Sequence, residues 1–256
     1  MKMAMEQLVP SVVVVAPMLM EMERWARQLP LRISLPFSQG CSPTRPPLLW
    51  NGTLGILGIV TGMRPACAAT SIMAVGHDSR FDLHSTYWVI AGIAGVNPAV
   101  GSIGSVFVAQ HLIDLNGGYW LDGLGHIPNG RQSPDYSPPF PDPSSSASLQ
   151  QQYLALNHDL SRRAFELARY TILPDTTKFQ AARHGYTEAA ARELPRVVFG
   201  DSVTGGTFWA GRESNTWSQN WTTYWSGGQA HFATTQEEDA AVLRALMALE
   251  RGELAN

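Results

Sequence analysis

The chain has little charge and almost no cysteine. Only 15% of its 256 residues are Asp, Glu, Lys or Arg, and the net charge is -3. A general nucleic-acid binder needs a basic face, so that class is excluded. Two cysteines, Cys41 and Cys67, are too few for a disulfide framework. They could pair with each other, but buried free thiols are the expectation. Long apolar runs are also missing. "LVPSVVVVAPMLM" is shorter than the roughly 20 residues that cross a bilayer, and Pro10 and Pro17 bracket its centre. With neither a transmembrane segment nor a convincing signal peptide, the chain is expected to be soluble and cytoplasmic. The seven histidines show no metal-ligand spacing, and HExxH, CxxC and GxSxG are all absent. Neither a metal enzyme nor a serine-triad enzyme is therefore expected.

What is present is apolar sequence in short, punctuated pieces. At 45% hydrophobic content the chain can bury a large core. "SVVVVAP" is a β-branched run of strand length, and "MEMERWARQL" after it has helical spacing. "GTLGILGIVTG" reads as a strand and "ACAATSIMAVGHD" as a helix of small residues. "TYWVIAGIAG" and "SVFVAQHLI" read as further strands. Strands alternating with helices predict a three-layer α/β/α fold with a central mixed sheet. The expectation is one domain over 10–256. Residues 115–148, dense in Gly, Pro and Ser, form an excursion too long for a plain connector. Helix is expected from "LQQQYLALNHDLSRRAFELARYTIL", with Leu154, Leu160, Phe165 and Leu167 as its apolar face. "TTQEEDAAVLRALMALERG" is expected to be a helix capped by Thr234 or Thr235.

Three features could carry chemistry. The stretch "YWVIAGIAGVNPAVGSIGSVFVAQHLID" places Gly92, Gly95, Gly101 and Gly104 between apolar runs. Either they build a hairpin, or bare backbone at a strand's carboxyl end lies against a ligand. The turn "GIVTGMRPACAATS" opens a helix, where unpaired N–H groups attract anions. Gly62 and Arg64 are its candidate anion-binding residues, and a surface arginine after a turn is the plainer reading. "QEED" crowds acids into one turn, more than a cap needs. Glu238, with Glu237 beside it, could accept hydrogen bonds from adjacent sugar hydroxyls. Glu21, just after strand one, could reach the same place or simply be solvated. Within "TFWAGRESNTWSQNWTTYW" most aromatics are expected in the core. Phe208 and Trp209 are best placed to stack on a planar base.

These segments together resemble the purine nucleoside permease family, related to the nucleoside phosphorylase and nucleosidase superfamily. "VVVVAPMLMEMERWARQL", "GIVTGMRPACAATSIMAVGHDSRFDL", "YWVIAGIAGVNPAVGSIGSVFVA", "GRQSPDY", "GTFWAGRESNTWSQNWTTYW" and "ATTQEEDAAVLRAL" carry the likeness, in family order, over most of residues 12–249. The resemblance implies a nucleoside phosphorylase-like fold, expected here without the C-terminal strand and helix. It implies a purine nucleoside as ligand and chemistry at the N-glycosidic bond. A non-catalytic role in nucleoside uptake is the alternative. Carried over, it makes Glu238 the ribose ligand and sets Gly92, Ile93, Ala94 and Gly95 beside the sugar. Phe208 or Trp209 lies near the base, and Glu21 orients water. No cofactor is implied beyond inorganic phosphate as a co-substrate, and a homo-oligomer is expected by analogy.

The sequence departs from the family pattern in several places. Arg64 replaces a glycine of the first turn, Pro65 follows it, and Cys67 stands where asparagine is usual. Ile93 and Ala94 replace residues that offer phosphate a hydroxyl, which favours water over phosphate. The sequence stops before the segment that bears the base-protonating residue, and general-acid help is typically worth about 10²- to 10⁴-fold. Weak catalysis is the resulting expectation.

Overall fold

The computed structural model describes residues 7–42, 48–116 and 152–254. Most of the expected 115–148 excursion lies outside the described residues. Chain contacts divide the protein into two compact units. The first comprises Met1–Ile93 with Glu237–Asn256, and the second comprises Ala94–Gln236.

The first unit is built on β1 (Val12–Ala16), whose valines are buried. It is flanked in parallel by β4 (Ile56–Val60) and β5 (Tyr87–Ile90). Antiparallel β3 (Leu48–Asn51) and β2 (Ile33–Leu35) complete a mixed sheet of order β2-β3-β4-β1-β5. Side chains alternate across a strand, and β1 uses both faces. Val13 and Val15 pack on Ala68, Ile72 and Val75 of α2 (Pro65–Gly76) and on Val242 and Ala245 of α7 (Asp239–Leu254). Val14 and Ala16 meet Met22 and Trp25 of α1 (Leu19–Gln28) on the opposite side. A strand covered on both faces reads as a continuous apolar run, and "VVVV" does. The small residues of α2 let α7 come close: a Cβ at Gly76 would collide with Leu249.

The second unit has its own mixed sheet, β6-β12-β11-β8-β9. Its parallel centre is β8 (His111–Asp114), β11 (Asp201–Thr204) and β12 (Phe232–Gln236), with β6 (Gly95–Val96) and β9 (Tyr153–Ala155) antiparallel at the edges. β7 (Val106–Val108) pairs separately with β10 (Val197–Phe199). The remaining described helices are α3 (His158–Ala168), α4 (Thr177–Arg183), α5 (Ala189–Arg192) and α6 (Arg212–Ser226). Trp221 and Trp225 of α6 pack on Ile113, Val203 and Phe232, so much of the aromatic cluster is core, as its spacing suggests. At the amino ends of the parallel strands Asp201 acts as a clamp. Its carboxylate accepts from the backbone N–H groups of Gln110 (3.1 Å), His111 (2.8 Å) and His231 (2.7 Å), and lies 3.2 Å from the His111 imidazole.

The mixed α/β class agrees with the sequence, although the strands fall into two five-stranded sheets and a two-stranded ribbon. Three local readings change. The 92–104 stretch is not a hairpin loop, because β5 pairs with β1 whereas β7 pairs with β10. Thr234 and Thr235 lie in β12 rather than at a helix cap, and α7 begins at Asp239. β-branched residues suit a strand better than a helix start. Leu154 belongs to β9, while Leu160 and Leu167 on α3 are 44% and 78% exposed, so the expected apolar face is not a buried one.

Candidate functional site

The carboxyl ends of parallel strands are the usual ligand position in open α/β sheets. In the first unit, three chain segments meet there. β1 ends at Ala16 and the chain turns through Pro17 into α1, whose first turn carries Glu21. Glu21 is 7% exposed and both of its oxygens are engaged. Oε2 accepts from the N–H of Met18 at 2.8 Å and so caps α1. Oε1 accepts from the N–H of Ile93, just beyond β5, at 2.7 Å. Gly92 lets the chain come close here: a Cβ would stand 3.2 Å from Glu21 Oε1 and 3.3 Å from Pro17 Cδ, tighter than side chains usually pack. At this position the bare backbone serves the protein's own carboxylate.

The second segment follows β4. Thr61 and Gly62 donate to the carbonyls of Ala16 and Pro17, tying the end of β4 to that of β1. Gly62 has φ +86° and Arg64 has φ +74°; among the described residues Arg64 alone is a non-glycine with positive φ. An arginine thus holds backbone in the positive-φ region that favours glycine. Arg64 N donates to Glu238 Oε1 at 2.6 Å. This backbone N–H, the N-cap group of α2, is therefore matched by an internal carboxylate. The Arg64 side chain is exposed and has no partner among the described residues.

Cys41 and Cys67 are disulfide-bonded, with Cα atoms 5.0 Å apart. This corrects the expectation of free thiols. The loop before β3 doubles back over the first turn of α2, where Cys41 N donates to Ser71 Oγ and Ser71 Oγ donates to the carbonyl of Thr61. Nothing in the spacing of the two cysteines announces that return.

The third segment joins β12 to α7 through Glu237, Glu238 and Asp239. The Glu238 carbonyl accepts from Ala241 N and Val242 N, which makes Glu238 the N-cap of α7. It is 7% exposed, so it does not point into solvent. Burial pushes its carboxyl above the ordinary range; the charges of Glu237 and Glu21 add to this, and the Arg64 N–H opposes it. Asp239 moves further. Withdrawal of its carboxyl from water, reinforced by the charges of Glu238 and Glu21, raises it from 3.8 to about 7. Glu21, Glu238 and Asp239 thus form one electrostatic group. Asp239 was not singled out from the sequence, although the crowding of acids in "QEED" was the available signal.

Of the residues expected in the site, the first unit brings together Glu21, Gly62, Arg64, Gly92, Ile93 and Glu238, with Glu237 partly exposed beside them. The second unit contains Ala94, Gly95, Phe208 and Trp209. Gly95 is spoken for by sheet packing: it pairs with Thr235, whose Cγ2 would lie 2.9 Å from an added Cβ. Phe208 is 83% exposed. Trp209 packs toward Phe232 with its ring centroid 6.0 Å away, and its indole N–H is buried with no partner among the described residues. No cluster of three or more metal-ligating side chains occurs among the described residues, and none of their helices is long and apolar enough to cross a membrane.

The family model described as "Purine nucleoside permease (NUP)" matches residues 9–256. A Schizosaccharomyces pombe protein named "Probable purine nucleoside permease" is 32% identical over 248 residues, 93% of this chain and 71% of its own length. A Candida albicans purine nucleoside permease is 28% identical over 258 residues, and the chain spans only 61% of its length. Among solved structures, the Neisseria meningitidis 5'-methylthioadenosine/S-adenosylhomocysteine nucleosidase has TM-score 0.52 at 15% identity, with 95% of this chain and 81% of that one covered. A futalosine hydrolase mutant of Helicobacter pylori has TM-score 0.54 at 11% identity, covering 94% and 84%. At such identities the likeness is one of fold.

Proposed function

The chain belongs to the purine nucleoside permease family, and from that premise we propose that its first unit binds the ribose of a purine nucleoside through Glu238 and promotes hydrolysis of the N-glycosidic bond. The observation that carries this reading is the position of Glu238. It is a buried carboxylate, anchored through one oxygen by Arg64 N at 2.6 Å, at the carboxyl ends of β1, β4 and β5. A carboxylate in that place accepts hydrogen bonds from two adjacent ribose hydroxyls. Bond cleavage leaves positive charge on the sugar, and an enzyme must hold that charge more tightly than it holds the ground state. Glu238 and Glu21 supply negative charge on the sugar side. Each oxygen of Glu21 already takes one backbone N–H and keeps a second lone pair, enough to orient an attacking water. Phosphate is less well served. The 92–95 turn offers no side-chain hydroxyl, and the Ile93 N–H is already given to Glu21.

A second reading rests on the names of the curated relatives, which are permeases: the protein binds nucleosides for uptake without turnover. Incubation with inosine or adenosine, with and without phosphate, separates the two when free base is followed. Base release without phosphate is expected. Release only in its presence would replace hydrolysis by phosphorolysis. Calorimetric binding with no release would leave the uptake reading standing.

A further inference from the structure

The first unit also contains a cleft of about 800 Å³ that the nucleoside reading does not use. It lies between the end of β2 and the chain that follows it, residues 34–39, and the turn after α2, residues 77–80. Arg64 stands at the start of α2 and His77 at its end. Thirteen residue steps at about 1.5 Å each separate the two positions by roughly 20 Å. The cleft is therefore a different place from the group of acids.

Its two walls differ in chemistry. On the 34–39 side Leu35, Pro36 and Phe37 supply apolar surface, with Phe37 7% exposed, interspersed with Ser34, Ser38 and Gln39. The other wall is polar. Asp78 and Arg80 form a bidentate pair, Nε to Oδ1 at 2.9 Å and Nη2 to Oδ2 at 2.6 Å. The guanidinium beside Asp78 holds that carboxyl below its usual range, so the pair stays ionised and neutral in sum. Arg80 Nη1 has no partner among the described residues, and the same holds for the His77 imidazole and the Gln39 amide. The cleft thus offers donors and acceptors in balance, with no net charge to attract an ion and one wall suited to C–H groups.

We propose that this cleft binds a neutral polyhydroxylated small molecule of the saccharide class. A sugar ring has a C–H face and a hydroxyl rim, which match the two walls. Planar groups such as guanidinium, carboxylate and amide meet vicinal hydroxyls in pairs. An anion would find Arg80 already neutralised, and an apolar ligand would leave the polar wall unpaired at a cost in desolvation.

The inference is tested on the full chain by amide NMR titration with sucrose, which bears no base, and in parallel with inorganic phosphate. Affinity in the millimolar range is expected, as for small ligands with few contacts. Sucrose should shift residues 34–39 and 77–80, and should do so equally in Glu238→Gln, which separates this site from the nucleoside site. Gln39→Trp, an exposed change that fills the cleft without touching the Asp78–Arg80 pair, should weaken binding by about tenfold or more. His77→Ala should weaken it less and leave nucleoside binding unchanged. Shifts with phosphate alone, or no shifts at those residues with sucrose, would overturn the proposal.

Discussion

A carboxyl group enclosed beside two others does not ionise as freely as it does in water. Asp239 is the clearest case, raised to about 7 by burial first and then by the charges of Glu238 and Glu21. The folded state therefore binds its proton more tightly than the unfolded chain does. Stability from this source is complete below the ordinary value near 3.8 and is lost as pH rises toward and through about 7. Thermal melts should show the midpoint falling between roughly pH 4 and pH 7. Asp239→Asn should flatten that slope and raise the midpoint at the alkaline end. Glu238→Gln should weaken nucleoside binding by about 10- to 100-fold in calorimetry, the loss of charged hydrogen bonds. Glu21 and Glu238 could be picked out from the sequence because acids in first turns beside a sheet's carboxyl ends are few. Asp239 could not, since sequence shows an acid without showing whether water reaches it. Nor could sequence tell that Trp209 turns toward Phe232 while Phe208 faces solvent.

Among the elements, the start of α2 is fastened more heavily than a helix of small residues needs. Glu238 accepts from its N-cap amide, Ser71 ties the preceding loop to Thr61, and Cys67 bonds to Cys41. Closing a loop over a sequence separation of 26 restricts the unfolded chain by on the order of 3 kcal/mol. Cys67→Ser, or reduction of the wild type, should lower the unfolding free energy by about that amount in denaturant titration. In the other sheet, Asp201 joins β8, β11 and the entry to β12 through three backbone N–H groups. Asp201→Ala would leave these donors buried and unpaired, and should cost on the order of 3 kcal/mol or more by the same measurement. Helices and parallel strands were legible where period and β-branching agreed, as in β1, α1 and α2. β12 was not, because "TTQEED" also reads as a helix cap, and only its pairing with β11 decides the matter. The disulfide stayed hidden because two cysteines fix no geometry.

For the molecule as a whole, the α/β class followed from alternating patterns, but the division of strands among sheets did not. Periodicity reports which face of a strand is buried and says nothing of its lateral neighbour. The first unit is also discontinuous in sequence: Met1–Ile93 shares it with Glu237–Asn256. Val242 and Ala245 of α7 complete the core that Val13 and Val15 begin. A ribosome delivers the early sheet long before the helix that covers one of its faces. Through most of synthesis that sheet waits with apolar residues uncovered, a state inviting chaperones or misassembly. Nascent chains halted after Gln236 should be cut rapidly by protease within 48–90, and extension through residue 256 should abolish those cuts.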